Sequence, residues 1–305
     1  MYIEIILFVL IILIVFLIHK YETEIFSFIE SFESPKINLN AVDKQYILCL
    51  TTTPKRINLL NHTLESIQKQ TIQPTLLILN IPHYSKRFKT KYTIPYFINK
   101  NEYPNLVIIR CDDYGPATKI LPTLEFANKK ENHKDYTHLF SKKMNDVPII
   151  FIDDDQYYHE KMSEYFLIYS KQQPNNTLCM RGGIIKRHKP LYRIFYDSYK
   201  IKEPLNVHIF SGWKGVLVKS RFFNETDPTD YSGAHPTAFF VDDIWLSGHL
   251  KKNNVSITVI PFKFNSLFHK KEIANKLDET KLYGKKRIEH NTNAMNYFDN
   301  NDWKL

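Results

Sequence analysis

Ile149-Ile150-Phe151-Ile152-Asp153-Asp154-Asp155 decides the fold: an unbroken apolar run passes directly into three carboxylates. A short continuous apolar run bounded by polar residues is the signature of a strand buried on both faces, as in a parallel sheet. Three adjacent negative charges at its end repel one another unless a cation is near. Alternate residues of an extended chain point the same way, so Asp153 and Asp155 can face one metal. An oxygen-only ligand pair favours a hard ion, Mg²⁺ or Mn²⁺, completed by water and a diphosphate. The alternative is a solvated acidic turn that caps a helix starting near Tyr158.

Working outward, further apolar runs occur at Ile47–Leu50, Leu76–Ile81, Leu106–Arg110 and Ile257–Phe262. Leu60, Leu64, Ile67 and Thr71 recur at helical spacing, and the stretch from Ala117 to Asn128 predicts another helix. Strands alternating with helices mean βαβ units, so the chain reads as an α/β protein with a mostly parallel, Rossmann-like sheet flanked by helices. Ligands of such sheets bind beyond the carboxyl ends of the strands. The chemically distinctive residues fall there: Thr51–Arg56, Asp112–Lys119 and Asp153–Asp155. Gly115-Pro116 opens the predicted helix, which puts Lys119 in its first turn, where the helix dipole favours a phosphate.

Composition bounds the classes. The 305 residues, 43% of them hydrophobic with 21 Phe and 19 Tyr, form a globular chain rather than a disordered one. The net charge of +9 suits anionic partners. No dense Arg/Lys block marks a nucleic-acid footprint, so no nucleic-acid partner is expected. Cys49, Cys111 and Cys179 lack C-x-x-C spacing and fill core space. Ile5–Ile18 is uninterruptedly apolar, Tyr2, Ile3 and the single Glu4 extend the run to Met1, and these 18 residues at ~1.5 Å each reach about 27 Å, the thickness of a thin bilayer core. With no basic n-region and no small-residue cleavage site, residues 1–20 read as an uncleaved transmembrane anchor and 21–43 as a stem. The side of the membrane stays open: Lys20 and Lys36 follow the segment, whereas sequons at Asn61, Asn175, Asn224 and Asn254 suit a lumenal domain. The main domain is expected over 44–270, with 271–305 a polar C-terminal tail or peripheral helices.

Thr51-Thr52-Thr53-Pro54-Lys55-Arg56, Leu64-Glu65-Ser66-Ile67, Gln70-Thr71-Ile72-Gln73-Pro74, Asp153-Asp154-Asp155 and Val241-Asp242-Asp243-Ile244-Trp245-Leu246 follow one another in the chain. In that order they resemble the motifs of GT-A fold glycosyltransferases of the family-2-like kind, over roughly residues 46–262. The resemblance implies a membrane-bound, metal-dependent enzyme that moves a sugar from a nucleotide-diphosphate sugar to a hydroxyl of a glycan, lipid or protein acceptor, with inversion. It implies that Asp153 and Asp155 hold Mn²⁺ or Mg²⁺, and that Thr51, Thr52, Arg56, Asp113, Lys119 and Asp154 surround the nucleotide donor. Trp213, in Phe210–Gly215, shapes the acceptor site or serves as a core aromatic. Asp243 is implied as general base with Asp242 beside it; ordinary helix capping is the other reading of that pair. A late histidine on the metal is sought at His269 first and His235 second. A metal-dependent phosphoryl hydrolase and a GT-A-like protein that binds glycans or nucleotides without turnover are the competing classes.

Overall fold

The computed structural model describes residues 42–99, 101–186, 192–264, 267–268, 287–298 and 303. The expected anchor, nearly all of the stem, His269 and residues 271–286 lie outside these. Among the described residues, no helix is long and apolar enough to cross a membrane.

The strands are β1 (Ile47–Thr51), β2 (Leu76–Pro82), β3 (Leu106–Cys111), β4 (Ile149–Phe151), β5 (Gln156–Tyr157), β6 (Thr177–Cys179), β7 (Arg181–Lys186), β8 (Tyr192–Asp197), β9 (Leu205–Val207), β10 (Ile209–Phe210), β11 (Val216–Val218), β12 (Ile257–Val259) and β13 (Leu267–Phe268). The helices of eight residues or more are α1 (Asn61–Gln68), α2 (Leu121–Asn128), α3 (Met162–Gln172), α4 (Asp242–Lys252) and α5 (Arg287–Tyr297). The main sheet runs β3-β2-β1-β4-β11-β6-β12-β9. Its first four strands pair in parallel, with Ile47 opposite both Leu76 and Ile149. β11 then runs antiparallel to β4 and to β6. The chain is thus α/β, and the parallel half is where the apolar runs were read.

Burial follows from those runs. Every residue from Leu76 to Pro82 is buried, as a strand covered on both faces requires. Asn80 sits there because its amide donates to the Lys119 carbonyl at 3.1 Å and to Thr123 Oγ1 at 2.9 Å, leaving no unmet donor. All three cysteines are free; Cys49 and Cys179 are buried, in agreement with the core-filling reading, whereas Cys111, at the end of the edge strand β3, is only partly buried.

Three expectations need correction. The segment predicted as one helix from Ala117 divides into a 3-10 turn over Gly115–Lys119 and α2, because Pro122 cannot donate the backbone bond that would continue the turn. Lys119 therefore ends a tight turn instead of opening a helix. The helix expected near Tyr158 begins at Met162, since Gln156–Tyr157 first forms a short strand with Leu267–Phe268. Part of the expected polar tail is core: α5 buries Ala294 and Met295, and Phe298 and Trp303 join them in a cluster around Trp245. Phe298 packs over Gly248 of α4, where any side chain would collide with its ring.

Candidate active site

The loops after β1, β3 and β4 open on one cavity of about 1120 Å³, to which the β10–β11 connection and the start of α4 also contribute. Thr51, Thr52, Arg56, Asp113, Lys119, Asp153, Asp154, Asp155, Trp213, Asp242 and Asp243 all line it, so the structure brings together every described residue singled out for the site except His235. His235 is exposed and caps the turn over Pro236–Phe240, with Nδ1 2.8 Å from Thr237 Oγ1; it is a local cap away from the cavity. His269 lies outside the described residues.

The acidic triplet alternates as its extended start dictates. Asp154 points inward, its side chain 3% exposed, and its carboxylate accepts from Thr52 Oγ1 at 2.5 Å and from the Arg56 guanidinium. Asp153 and Asp155 keep 29% and 23% of their side chains exposed toward the cavity. Arg56 also donates to Asp155 Oδ2 at 2.8 Å. One guanidinium thus fastens the β1 loop to two carboxylates of the triplet, in the forked geometry that arginine supplies and lysine does not. Asp154 is in consequence a residue that positions the loop, its oxygens engaged by Thr52 and Arg56. Burial foremost pushes its carboxyl up to about 6, Asp155 and Asp153 add to the rise, and Arg56 opposes it.

Lys119 is the second tie. Its side chain is 6% exposed, and Nζ lies between Asp153 Oδ1 and Asp242 Oδ2, the latter at 2.9 Å. Burial alone would release its proton, but Asp153, Asp242 and Asp243 overcome that and hold the ammonium charged far above its ordinary range. The sequence reading aims this lysine at a diphosphate; the structure instead places it as a bridge between the acidic triplet and the acidic pair of α4.

That pair does not cap its helix. The N-cap is Val241, and neither aspartate side chain bonds the first-turn amides. Asp242 faces Lys119, whereas Asp243 Oδ1 accepts the Gly212 N–H at 2.9 Å. Gly212 is required by this approach: a Cβ there would stand 2.9 Å from Asp243 Oδ1 and 3.2 Å from Lys119 Nζ. Burial, then the neighbouring charge of Asp242, push the Asp243 carboxyl up to about 7, with Lys119 opposing and Asp153 adding to the rise. A carboxylate that exchanges its proton near neutrality and opens on a cavity is equipped for acid–base work.

Asp113 accepts from the Lys86 N–H and the Gly115 N–H, each at 2.7 Å, and Gly115 holds a φ of 61° that an L side chain rarely adopts. Asp113 therefore shapes the turn that carries Lys119. Trp213 is half-buried on the cavity wall, with Lys214 Nζ 4.7 Å from its ring centroid, and is not a core residue.

Several contributors escaped the sequence reading. The Tyr158 hydroxyl accepts the Asp153 N–H at 2.9 Å and donates to the Trp213 carbonyl at 3.0 Å, fixing the triplet against the Gly212–Lys214 turn. Tyr92 donates to the Thr52 carbonyl at 3.0 Å. Arg181, Arg193 and Arg287 also line the cavity. Tyrosine, at 19 residues, is too frequent for position alone to mark Tyr92 and Tyr158, and the arginines, though only eight in the chain, stand in no local motif that points to a cavity; only Asn80, a polar residue inside an apolar strand, carried a visible signal.

No family model matches this chain. No curated protein matches it either. Among solved structures it is similar to the crystal structure of S. aureus TarS 1-349, at 13% identity and a TM-score of 0.45, covering 73% of this chain and 60% of that one. The chain spans less than two thirds of that structure, and at this score and identity the likeness transfers neither an activity nor residue roles.

Proposed function

We propose that this chain is a glycosyltransferase of the GT-A, family-2-like kind, metal-dependent and inverting, which moves a sugar from a nucleotide-diphosphate sugar to an acceptor hydroxyl. The observation that carries the reading is the convergence of five separated segments on one cavity at the carboxyl ends of the parallel strands, with the acidic triplet and the α4 pair joined through Lys119. A phosphoryl hydrolase would account neither for the Thr51–Arg56 loop beside the triplet nor for the acidic pair of α4. A cavity of about 1120 Å³ has room for a nucleotide sugar and part of an acceptor.

The residues suit a divalent cation on charge. Where the triplet meets the α4 pair, five carboxyl groups, Asp153, Asp154, Asp155, Asp242 and Asp243, lie around Arg56 and Lys119, although the cavity lining as a whole also carries Asp113, Arg87, Arg181, Arg193 and Arg287. Among the described residues, no three His, Cys, Asp or Glu side chains converge as a ready-made cage. Mg²⁺ and Mn²⁺ commonly take one or two carboxylates and complete their shells with phosphate oxygens and water, which makes Asp153 and Asp155 a sufficient protein contribution. When bound, such an ion neutralises charge on the departing diphosphate. Arg56 and Lys119 hold the two carboxylates in place for it, and Thr52 and Tyr92 fix the loop beside them. Asp243, oriented by the Gly212 N–H, takes the proton from the acceptor hydroxyl as the new bond forms. Residues 1–20 are proposed as the membrane anchor on the unbroken apolar run Ile5–Ile18.

The test is thermal unfolding of the full-length chain with nucleoside diphosphates and nucleotide sugars, with and without Mn²⁺. A ligand held by the native state alone at 100 times its Kd raises stability by about 2.7 kcal/mol. Stabilisation by at least one nucleotide sugar that depends on Mn²⁺ is expected. Stabilisation by none would sink the proposal.

A further inference from the structure

The cavity has a second electrostatic half that the chemistry above leaves unused. β7 and β8 form an antiparallel hairpin in which Arg181 faces Asp197, Gly183 faces Phe195 and Ile185 faces Arg193. Arg193 and Phe195, two residues apart on one strand, therefore share a face, and both line the cavity. The Arg181 and Arg193 guanidinium groups stand 4.8 and 5.3 Å from the centroid of the same Phe195 ring. Their charges are handled differently. Arg181 donates to both oxygens of Asp197 at 2.7 Å, and Lys214 joins the same carboxylate at 3.0 Å. Arg193 makes no ion pair with any carboxylate among the described residues, and Arg287, the first residue of α5, lines the same cavity.

A half-buried guanidinium without a counter-ion is costly to keep, and an incoming anion removes that cost. Burial weakens the Arg193 hold on its proton, Asp243 strengthens it and Arg287 weakens it further. Arg193 and Asp243, the proposed base, line the same cavity. The β7–β8 hairpin that carries Arg193 pairs through β7 with β10, which leads into the Gly212 turn that bonds Asp243 and so ties this arginine to the segment that orients the base. Arg56 and Lys119, on the donor side, are already engaged by carboxylates.

On the reading of the site given above, we infer that the acceptor is anionic: a glycan carrying a phosphate, sulfate or carboxylate close to the hydroxyl that receives the sugar. Arg193, assisted by Arg287, binds that anion, for which the planar guanidinium fork is well suited. Phe195 and Trp213 offer ring faces for the rest of the acceptor.

The experiment is calorimetric titration of the full-length protein, saturated with a stabilising nucleoside diphosphate and Mn²⁺. Two matched pairs serve as probes, mannose against mannose 6-phosphate and maltotetraose against tetragalacturonate, which also separate phosphate from carboxylate recognition. The charged member of at least one pair is expected to bind about tenfold or more tightly than its neutral counterpart. Arg193→Gln should bring the two together, Arg193→Lys should retain part of the preference, and Lys134→Gln, which removes an exposed charge elsewhere, should leave it intact. Nucleotide affinity should be the same in all variants. Equal binding of neutral and charged probes by a protein that does bind nucleotide overturns this inference alone. So does a loss in Lys134→Gln equal to that in Arg193→Gln, which would mark nonspecific attraction to a basic protein. A fall in nucleotide affinity in Arg193→Gln would assign the arginine to the donor and overturn it too. Absence of any nucleotide binding would remove the glycosyltransferase reading and this inference with it.

Discussion

Replacing Asp243 by Asn should stabilise the ligand-free protein, and by an amount that depends on pH. The native carboxyl titrates near 7 against 3.8 for an ordinary aspartate, because burial and Asp242 disfavour its charged form. Between those values the native state binds the proton more tightly than the unfolded chain does, so stability falls as pH rises from about 4 through 7. At ~1.4 kcal/mol per pH unit, the full difference of roughly three units corresponds to a ceiling of about 4 kcal/mol above pH 8. The side chain opens on the cavity, and water there reduces this to about 1–3 kcal/mol. Asn keeps an oxygen for the Gly212 N–H and cannot ionise, so it removes the penalty without removing the bond. Urea unfolding of both proteins at pH 5 and pH 8, followed by fluorescence, measures the effect as a change in midpoint at constant slope. The variant should gain on the unsubstituted protein as pH rises between the two conditions. A variant that is less stable at pH 8, or a difference that does not change with pH, would mean that Asp243 is an ordinary solvated aspartate and would remove the main electrostatic argument for it as the base. In transfer assays the same substitution should lower turnover by ~10²–10⁴-fold with donor affinity nearly unchanged.

Asp155→Asn should abolish Mn²⁺-dependent nucleotide binding in calorimetry, yet change stability by under about 1 kcal/mol, since Arg56 retains Asp154; tight metal-dependent binding in that variant would free Asp155 from the metal role. Gly212→Ala puts a methyl 2.9 Å from Asp243 Oδ1 and should reduce turnover at least ~10-fold by displacing the base, with the fold retained by circular dichroism; unaltered turnover would show that the Gly212–Asp243 contact does not position the base. Phe298→Ala, at a side chain buried against Trp245 and Gly248, should cost about 3–5 kcal/mol in urea unfolding; a loss below about 1 kcal/mol would show that α5 does not belong to the core.

What was legible in the sequence was whatever a single local pattern could carry. β1, β2 and β4 announce themselves because strands covered on both faces are nearly continuous apolar runs, and β3, the half-exposed edge strand, does so through Leu106–Ile109. Asp153–Asp155 stood out because the chemistry changes abruptly where the β4 run ends, and their alternation followed from the geometry of an extended chain. Pro122 divides the segment that reads as one helix, so Lys119 ends a 3-10 turn and does not open a helix, and its carboxylate partners come from other segments of the chain. α5 was missed because its buried side is narrow: Ala294, Met295 and Phe298 are set in a background of Asn, His, Glu and Thr, and only the Trp245 surface they meet makes them core residues.

The ion pairs of the site could not have been read at all, and the reason is physical. Lys119 and Asp242 lie 123 residues apart (242 − 119), and Arg56 and Asp155 lie 99 apart. Nothing local to either member of such a pair records the other. What the sequence does record is that each, considered alone, is a charged residue beside a buried strand or at the start of a helix, where an isolated charge is costly. The fold resolves that cost by pairing the donor-side cations with carboxylates from other loops, and it meets Arg181 with Asp197. Arg193 is the position where the same accounting leaves a half-buried cation unmatched among the described residues. Among the described residues the other ion pairs of the site are closed internally, which directs attention to Arg193, and on the inference drawn above the anion that compensates it is carried by the acceptor.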